Sequence, residues 1–452
     1  MSDEGAYAVS FPPVKQPVVG RVTVPGSKSI TNRALICAAM ASGPSNLTGV
    51  LDSEDTRVMV DAWMALGLSI NWDKSAKTIN IMGCNGQPPH SSGDLHLANS
   101  GTSIRFLTAA LAATHGEYSL DGVPRMRERP IGDLIDGLRG LGANVSSLNL
   151  THPNCPPVRV VANGLHGGVG NVAGDISSQF LSGMMMASPY ANTSVVIRVI
   201  GDLVSKPYVD MTVAVMKSFG VELLINQRAH GLEYTVDAPQ SYVGCDYSIE
   251  PDASAASYFF GAAAITGGSM RIDGLSFDAL QGDVHFAKAL EKMGCDVSSG
   301  VDFIQVSGRA TRGIDIDMNS ISDTVQTLAA VALFADSPTR VRGVAHNRHK
   351  ETDRIGDLAC ELRRLGAGVD EHNDGLTIHP KPLIGVDLKT YRDHRMAMSL
   401  SLIGLKVPDV RILDPKCTEK TYPEFFEDMG TVLGEKPVYD FDVECGQSLR
   451  HR

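Results

Sequence analysis

The passage LRGLGANV, Leu138 to Val145, reads as the last turn of a helix, a glycine, and the start of a strand, and it recurs along the chain. WMALGLSI (Trp63 to Ile70), MKSFGVEL (Met216 to Leu223), LEKMGCDV (Leu290 to Val297) and LRRLGAGV (Leu362 to Val369) repeat it. Their glycines, Gly67, Gly142, Gly220, Gly294 and Gly366, stand 75, 78, 74 and 72 residues apart. A sixth, weaker copy, FEDMGTVLG, is expected to close on Gly430. Each glycine falls where a helix needs a left-handed cap before the chain turns into a strand, because a residue without Cβ adopts positive φ at no steric cost.

A second pattern keeps step with the first: a polar loop that opens a helix of small apolar residues. Its copies are GSKSITNRALICAAMA from Gly26, NSGTSIRFLTAALAA from Asn99, DISSQFLSGMMMA from Asp175, EPDASAASYFFGAAAI from Glu250, NSISDTVQTLAAVALFA from Asn319 and YRDHRMAMSLSLIGL from Tyr391. Apolar residues on all faces predict buried rather than amphipathic helices. Alternating segments between the patterns, such as RVTVPG, VRVVANG and YTVDAP, read as strands. The two rhythms together predict an α/β protein of six similar units, arranged as two domains of three units each; the period is too long for most solenoids.

The composition narrows the function. With 452 residues the chain is long enough for two or three domains, and no apolar run approaches the roughly 20 residues that cross a bilayer. No secretory signal is visible in the first twenty residues, and a cytoplasmic location is expected. A net charge of −11 argues against nucleic-acid binding, which selects basic faces. The eight cysteines are scattered without a CxxC pair, and neither HExxH nor a clustered His/Cys set is present, so no metal and no disulfide framework is expected.

Chemistry-bearing residues collect at the openers. Six helix starts bring unsatisfied N–H groups and positive dipole ends, expected to face common ground between the domains, and Lys28, Arg33, Arg105, Arg392 and Arg395 lie beside them. Such a site suits a substrate with more than one phosphate or carboxylate. PGSKSITNR is not a Walker A loop, since Ser27 separates Gly26 from Lys28, and an NTP kinase is disfavoured. VPRMRERPIGDL, from Val123, sets Arg125, Arg127 and Arg129 beside Glu128, a pattern that by itself reads as a salt-bridged surface. In HNRHKETDRIGDL, from His346, Lys350, Glu351 and Arg354 place a carboxylate between cations at spacings that share a helix face, as an ion-pair partner or a proton donor. CTEKTYPEFF puts Lys420 just ahead of a short helix. Asp393-His394-Arg395 suggests a His–Asp dyad, but no GxSxG elbow supplies a nucleophile.

In their order along the chain, PGSKSITNRAL, NSGTSIRF, PRMRERPI, SSQF, SKPY, KETDR, DHRMAM and KTYPEFF resemble the 5-enolpyruvylshikimate-3-phosphate synthase family over about Val18 to Leu433. The resemblance implies a two-domain inside-out α/β barrel of six βαβαββ units, with helix N-termini facing the interdomain cleft. It places residues 23–247 in one domain, residues 1–22 with 248–434 in the other, and residues 435–452 in a disordered tail. It implies transfer of the enolpyruvyl group of phosphoenolpyruvate to the 5-hydroxyl of shikimate 3-phosphate, with release of phosphate, in aromatic amino-acid biosynthesis. No cofactor is implied, a monomer is expected, and the two domains are expected to close on substrate.

Carried over motif by motif, the resemblance assigns Lys28, Asn99, Gly101, Arg125, Gln179, Arg354, Arg395 and Lys420 to phosphoenolpyruvate. It assigns Lys28, Ser29, Arg33, Ser177, Ser178, Gln179, Ser205, Tyr208, Asp323 and Lys350 to shikimate 3-phosphate. Asp323 would accept or orient the 5-hydroxyl proton, with Lys28 assisting, and Glu351 would protonate the methylene carbon. The chain departs from the family pattern at Ser100, Ser103, Ile104 and Phe106, the last in place of a proline, and reduced sensitivity to the inhibitor glyphosate is expected. The alternative is UDP-N-acetylglucosamine enolpyruvyl transferase, whose usual loop cysteine has no counterpart between Val123 and Pro130.

Overall fold

The computed structural model describes residues 7–228 and 231–441. Twelve α-helices are found there: α1 Lys28–Met40, α2 Glu54–Ala65, α3 Gly101–Ala112, α4 Gly132–Gly140, α5 Ser178–Ala187, α6 Lys206–Ser218, α7 Ala253–Thr266, α8 Phe286–Lys292, α9 Val325–Ala332, α10 Gly356–Arg364, α11 His394–Ser401 and α12 Phe425–Leu433. The odd-numbered helices are the six predicted from the small-residue openers, and they are buried. Every residue of α7 and of α3 is buried, because Gly, Ala and Ser let neighbouring backbones approach from all sides. The even-numbered helices are one-sided, as α2 shows by burying Met59, Val60, Ala62 and Trp63 and exposing Met64.

The polar openers act as caps. Ser27, Ser100, Ser177 and Asp393 accept backbone N–H groups at the starts of α1, α3, α5 and α11, and Ser53 does so for α2. Each cap contributes about 1 kcal/mol to its helix.

Six four-stranded sheets accompany the helices, and all six share one pattern: a parallel pair followed by two antiparallel partners. In the sheet that spans residues 92–163, Ser92–His96 runs parallel to His115–Asp121, with α3 as the crossover. Val158–Asn163 and Asn144–Ser147 complete it in antiparallel register, and α4 precedes them. This is a βαβαββ unit, and the other five follow it.

Three units are completed by strands distant in sequence. The chain forms two compact bodies: Pro25–Asp252 with Asp278–Gly282, and Ala253–Phe277 with the segments before Pro25 and from Asp283 onward. In the second body, Val19–Val22 pairs in parallel with Ser269–Asp273, and Ala8–Ser10 lies between Arg411–Leu413 and Val438–Asp440. In the first, Asp246–Ser248 returns to pair with Pro44–Thr48. Val438–Asp440 lies in the region expected to be a tail, which is therefore structured as far as that strand; residues 442–452 lie outside the described residues.

The five repeated glycines have φ of +91° (Gly67), +91° (Gly142), +86° (Gly220), +110° (Gly294) and +97° (Gly366), the left-handed caps that the sequence requires. The sixth copy is corrected. Gly430 lies inside α12, and Gly434, at φ +67°, caps that helix.

Candidate functional site

Each body carries its own cluster of functional side chains. In the body formed by Pro25–Asp252 with Asp278–Gly282, the approach to α1 is sterically fixed: a Cβ on Gly26 would lie 1.9 Å from the carbonyl oxygen of Gly49. Lys28 is the first residue of α1, its N–H donating to Asp252 Oδ2 at 3.2 Å and its Nζ 3.6 Å from Asp55 Oδ2. Two carboxylates that sequence reasoning passed over thus hold the backbone and the charge of this lysine.

One turn further on, Arg33 is buried. It donates to Thr212 Oγ1 at 2.7 Å, to the carbonyls of Ser29 at 2.8 Å and Tyr208 at 3.0 Å, and to Ser182 Oγ at 3.4 Å. No carboxylate pairs with it among the described residues, and burial pulls its pKa down to about 10. Tyr208 lies in the first turn of α6, behind Ser205, whose φ of +53° puts a non-glycine residue in the left-handed region.

The turn Asn99–Gly101 is clamped by Arg129, while Arg125, the arginine assigned to phosphoenolpyruvate, lies on the preceding turn. Arg125 lies on the short 3₁₀ turn Pro124–Glu128 with its side chain 41% exposed and pairs with Glu128 at 2.7 Å. Arg129, one residue beyond the turn, is buried and donates to the backbone carbonyl of Asn99 at 2.9 Å and to its Oδ1 at 3.2 Å. A Cβ on Gly101 would meet Arg129 Nη2 at 2.5 Å, so the guanidinium lies directly over the start of α3. The sequence signal was present: Arg129 precedes Pro130, whose carbonyl accepts from Arg105 at 3.0 Å. Gln179 is held from both sides, accepting from Arg105 Nη1 at 2.6 Å and donating to Thr102 Oγ1 at 3.0 Å. Ser177 caps α5 beside it, and Ser178 is buried.

In the other body the acids and cations interleave. Arg354 reaches three carboxylates: Asp393 through Nε at 2.7 Å, Glu351 through Nη2 at 2.8 Å and Asp323 through Nη1 at 3.1 Å. Their charge raises its pKa above the ordinary guanidinium value even against burial. Arg395 donates to the second oxygen of Asp323 at 2.6 Å, Lys350 Nζ lies 3.8 Å from Asp323, and Lys420 Nζ lies 3.9 Å from Glu351. Burial lowers Lys350, with Asp323 opposing. Four cations therefore face three carboxylates. Arg395 is also backed by Ser254 Oγ and Tyr258 OH, both at 3.4 Å, and Ser254 donates in turn to Asp283.

One expectation is corrected here. Lys350, Glu351 and Arg354 do not share a helix face: Lys350 has φ −86° and ψ −147°, α10 begins only at Gly356, and a loop brings Glu351 to Arg354. Asp393 anchors Arg354 through both oxygens, and its Oδ1 also lies 3.7 Å from His394 Nδ1. Among the described residues no group of three or more His, Cys, Asp or Glu could hold a metal, and no helix is long and apolar enough to cross a membrane.

A six-unit α/β scaffold, with a buried guanidinium that meets no carboxylate among the described residues in one body and interleaved acids and cations in the other, defines the class of protein. The comparisons with known proteins narrow that class. The profile of EPSP synthase (3-phosphoshikimate 1-carboxyvinyltransferase) matches residues 13–429. A 3-phosphoshikimate 1-carboxyvinyltransferase of Vibrio vulnificus is 44% identical over 430 residues, covering 94% of this chain and 99% of its own, and one of Shigella flexneri is 45% identical over 419 residues, covering 92% and 96%. An EPSP synthase structure from Acinetobacter baumannii, 24% identical, superposes with a TM-score of 0.78 over 96% of this chain and 100% of that one, a likeness of fold. The chain belongs to the EPSP synthase family and is an enzyme of the class named in that family's description.

Proposed function

We propose that this enzyme transfers the enolpyruvyl group of phosphoenolpyruvate to the 5-hydroxyl of shikimate 3-phosphate, with the residue roles that follow. Arg33 carries the reading: a buried guanidinium whose hydrogen bonds go to hydroxyls and carbonyls holds a charge that no carboxylate among the described residues compensates and that an anionic ligand would neutralise. With Ser29, Ser177, Ser178, Ser205 and Tyr208 it holds shikimate 3-phosphate, and Lys350 and Asp323 hold the ring hydroxyls. Lys28, Gln179, Arg354, Arg395 and Lys420 hold phosphoenolpyruvate, together with the N–H groups of the Asn99–Gly101 turn. Arg129 takes the role first given to Arg125, because it is the buried guanidinium over that turn.

Asp323 takes the proton of the 5-hydroxyl as its oxygen bonds to C2 of phosphoenolpyruvate, and Glu351 delivers a proton to C3, giving a tetrahedral adduct. Glu351 is suited to this because its partners Arg354 and Lys420 are cations that the incoming dianion also engages. Negative charge arriving there favours the protonated carboxyl. Elimination reverses the second step: a methyl proton returns to Glu351, the C2–O bond to phosphate breaks, and the double bond reforms in the product. The cations stabilise the leaving phosphate, and the proton taken from the 5-hydroxyl leaves with it, restoring the Asp323 carboxylate.

On the same reading the enzyme is a cytoplasmic monomer and glyphosate competes for the phosphoenolpyruvate pocket. Phosphate release measured with phosphoenolpyruvate and each acceptor tests the reading. Turnover with shikimate 3-phosphate and none with UDP-N-acetylglucosamine is expected, and the opposite preference would overturn it.

A further inference from the structure

Arg33 has one partner that is neither hydroxyl nor carbonyl: its guanidinium carbon lies 5.2 Å from the centroid of the Phe106 ring. Phe106 is in the second turn of α3 and is 1% exposed. The ring is confined by α5, since a Cβ on Gly183 would come within 3.3 Å of Ala109 Cβ and of the Arg105 carbonyl, and 3.7 Å from Phe106 Cδ1. At the preceding position, Arg105 places its own guanidinium 5.0 Å from the centroid of Phe180. Arg33, directed to a substrate anion on the reading above, and its α3 neighbour Arg105 thus each lie against a phenylalanine face.

An aromatic face carries negative electrostatic potential and attracts a cation most strongly where water is excluded. Arg33 is in that situation: it has lost its hydration and has gained no carboxylate, and the neutral acceptors around it compensate only part of the cost. A carboxylate at this place would neutralise the guanidinium and compete with an anionic ligand for it. A ring does not, because it supplies potential without occupying a hydrogen-bond donor. The proline usual at this position in the family pattern has no such face.

We propose that Phe106 is a positioning residue for shikimate 3-phosphate, holding the charged guanidinium of Arg33 in the binding orientation by a cation–π contact until the anionic substrate arrives. The proposal rests on the reading of Arg33 as a shikimate 3-phosphate residue. It acts on affinity for that substrate and not on the proton-transfer steps, which the same reading gives to Asp323 and Glu351.

The test replaces Phe106 by phenylalanines carrying one, two, three and five ring fluorines, which withdraw the negative face in steps while nearly keeping its shape, alongside Phe106→Leu. Dissociation constants for shikimate 3-phosphate and steady-state constants for both substrates are measured on the full chain. Affinity for shikimate 3-phosphate is expected to fall progressively with fluorine number, reaching about 3- to 30-fold in Phe106→Leu and the pentafluoro variant, with kcat changed less than about twofold. An affinity that does not follow fluorine number, or a loss shared equally by kcat, would overturn the proposal. Arg33→Lys separates the two levels: if it abolishes binding while the fluorine series is flat, Arg33 holds substrate and Phe106 does not position it. If Arg33→Lys binds shikimate 3-phosphate normally, the underlying reading of Arg33 fails.

Discussion

Arg354 donates to both oxygens of Asp393, through Nε at 2.7 Å and Nη2 at 3.2 Å, and this fork fixes the plane in which the same guanidinium reaches Glu351 and Asp323. Asp393 is inaccessible and also caps α11 by accepting the N–H of Arg395 at 2.8 Å. One carboxylate therefore orients two of the cations assigned to phosphoenolpyruvate, one through its side chain and one through its backbone.

Asp393→Asn keeps an acceptor for the cap and removes the charge that fixes Arg354. Since Arg354 retains two carboxylates, a stability loss of about 1–3 kcal/mol is expected, smaller than the full cost of breaking an isolated buried pair. The KM for phosphoenolpyruvate should rise about 10-fold with that for shikimate 3-phosphate little changed. Denaturant unfolding and steady-state kinetics check both; equal rises in the two KM values would count against an orienting role.

Arg129 and Arg125 make a matched pair for substitution. Arg125→Ala removes an exposed ion pair, worth about 0–1 kcal/mol, and should leave both KM values within about twofold. Arg129→Ala removes a buried, charge-assisted donor and should raise the KM for phosphoenolpyruvate about 100-fold. Kinetics that reverse this order would restore Arg125 to the site.

His346 supplies a pH signature. Burial depresses its pKa to about 3, with Lys350 beside it acting in the same direction, so the ring is neutral in the folded protein throughout the neutral and mildly acid range. The unfolded chain binds that proton near pH 6.5, whereas the folded chain does so only near pH 3. Between these values the unfolded state holds more protons, so stability falls as the pH falls. In His346→Gln the dependence of unfolding free energy on pH between pH 6 and pH 4 should lose up to about one proton of slope. An unchanged slope would mean that His346 is accessible to protons in the folded state.

The repeat was legible because its signals are local. A helix end that turns into a strand requires positive φ, and Gly67, Gly142, Gly220, Gly294 and Gly366 declare it within a few residues; the sixth cap went to Gly434 because α12 continues through Gly430. Buried helices were likewise visible in runs of alanine and serine. What sequence could not show was direction and long-range pairing. Arg125, Arg127 and Arg129 look alike in PRMRERP, and only the tight turn at Pro124–Glu128, with Arg125 and Arg127 engaged by Glu128 and Asp121, decides that Arg129 is the one buried. Asp55, Asp252 and Asp393, which hold Lys28 and Arg354, are distant from them in sequence by 27, 224 and 39 residues, and no local pattern marks such partners.

The central claim is that Glu351 supplies the proton that makes the tetrahedral adduct. Its most direct test is turnover by Glu351→Gln with phosphoenolpyruvate and shikimate 3-phosphate, followed as phosphate release. The substitution keeps size and hydrogen bonding, removes the transferable proton, and removes a negative charge beside Arg354 and Lys420. The account predicts a fall in kcat of about 100-fold or more, with a KM for phosphoenolpyruvate that is unchanged or lower. A near-normal kcat would contradict it, and so would a loss confined to a raised KM.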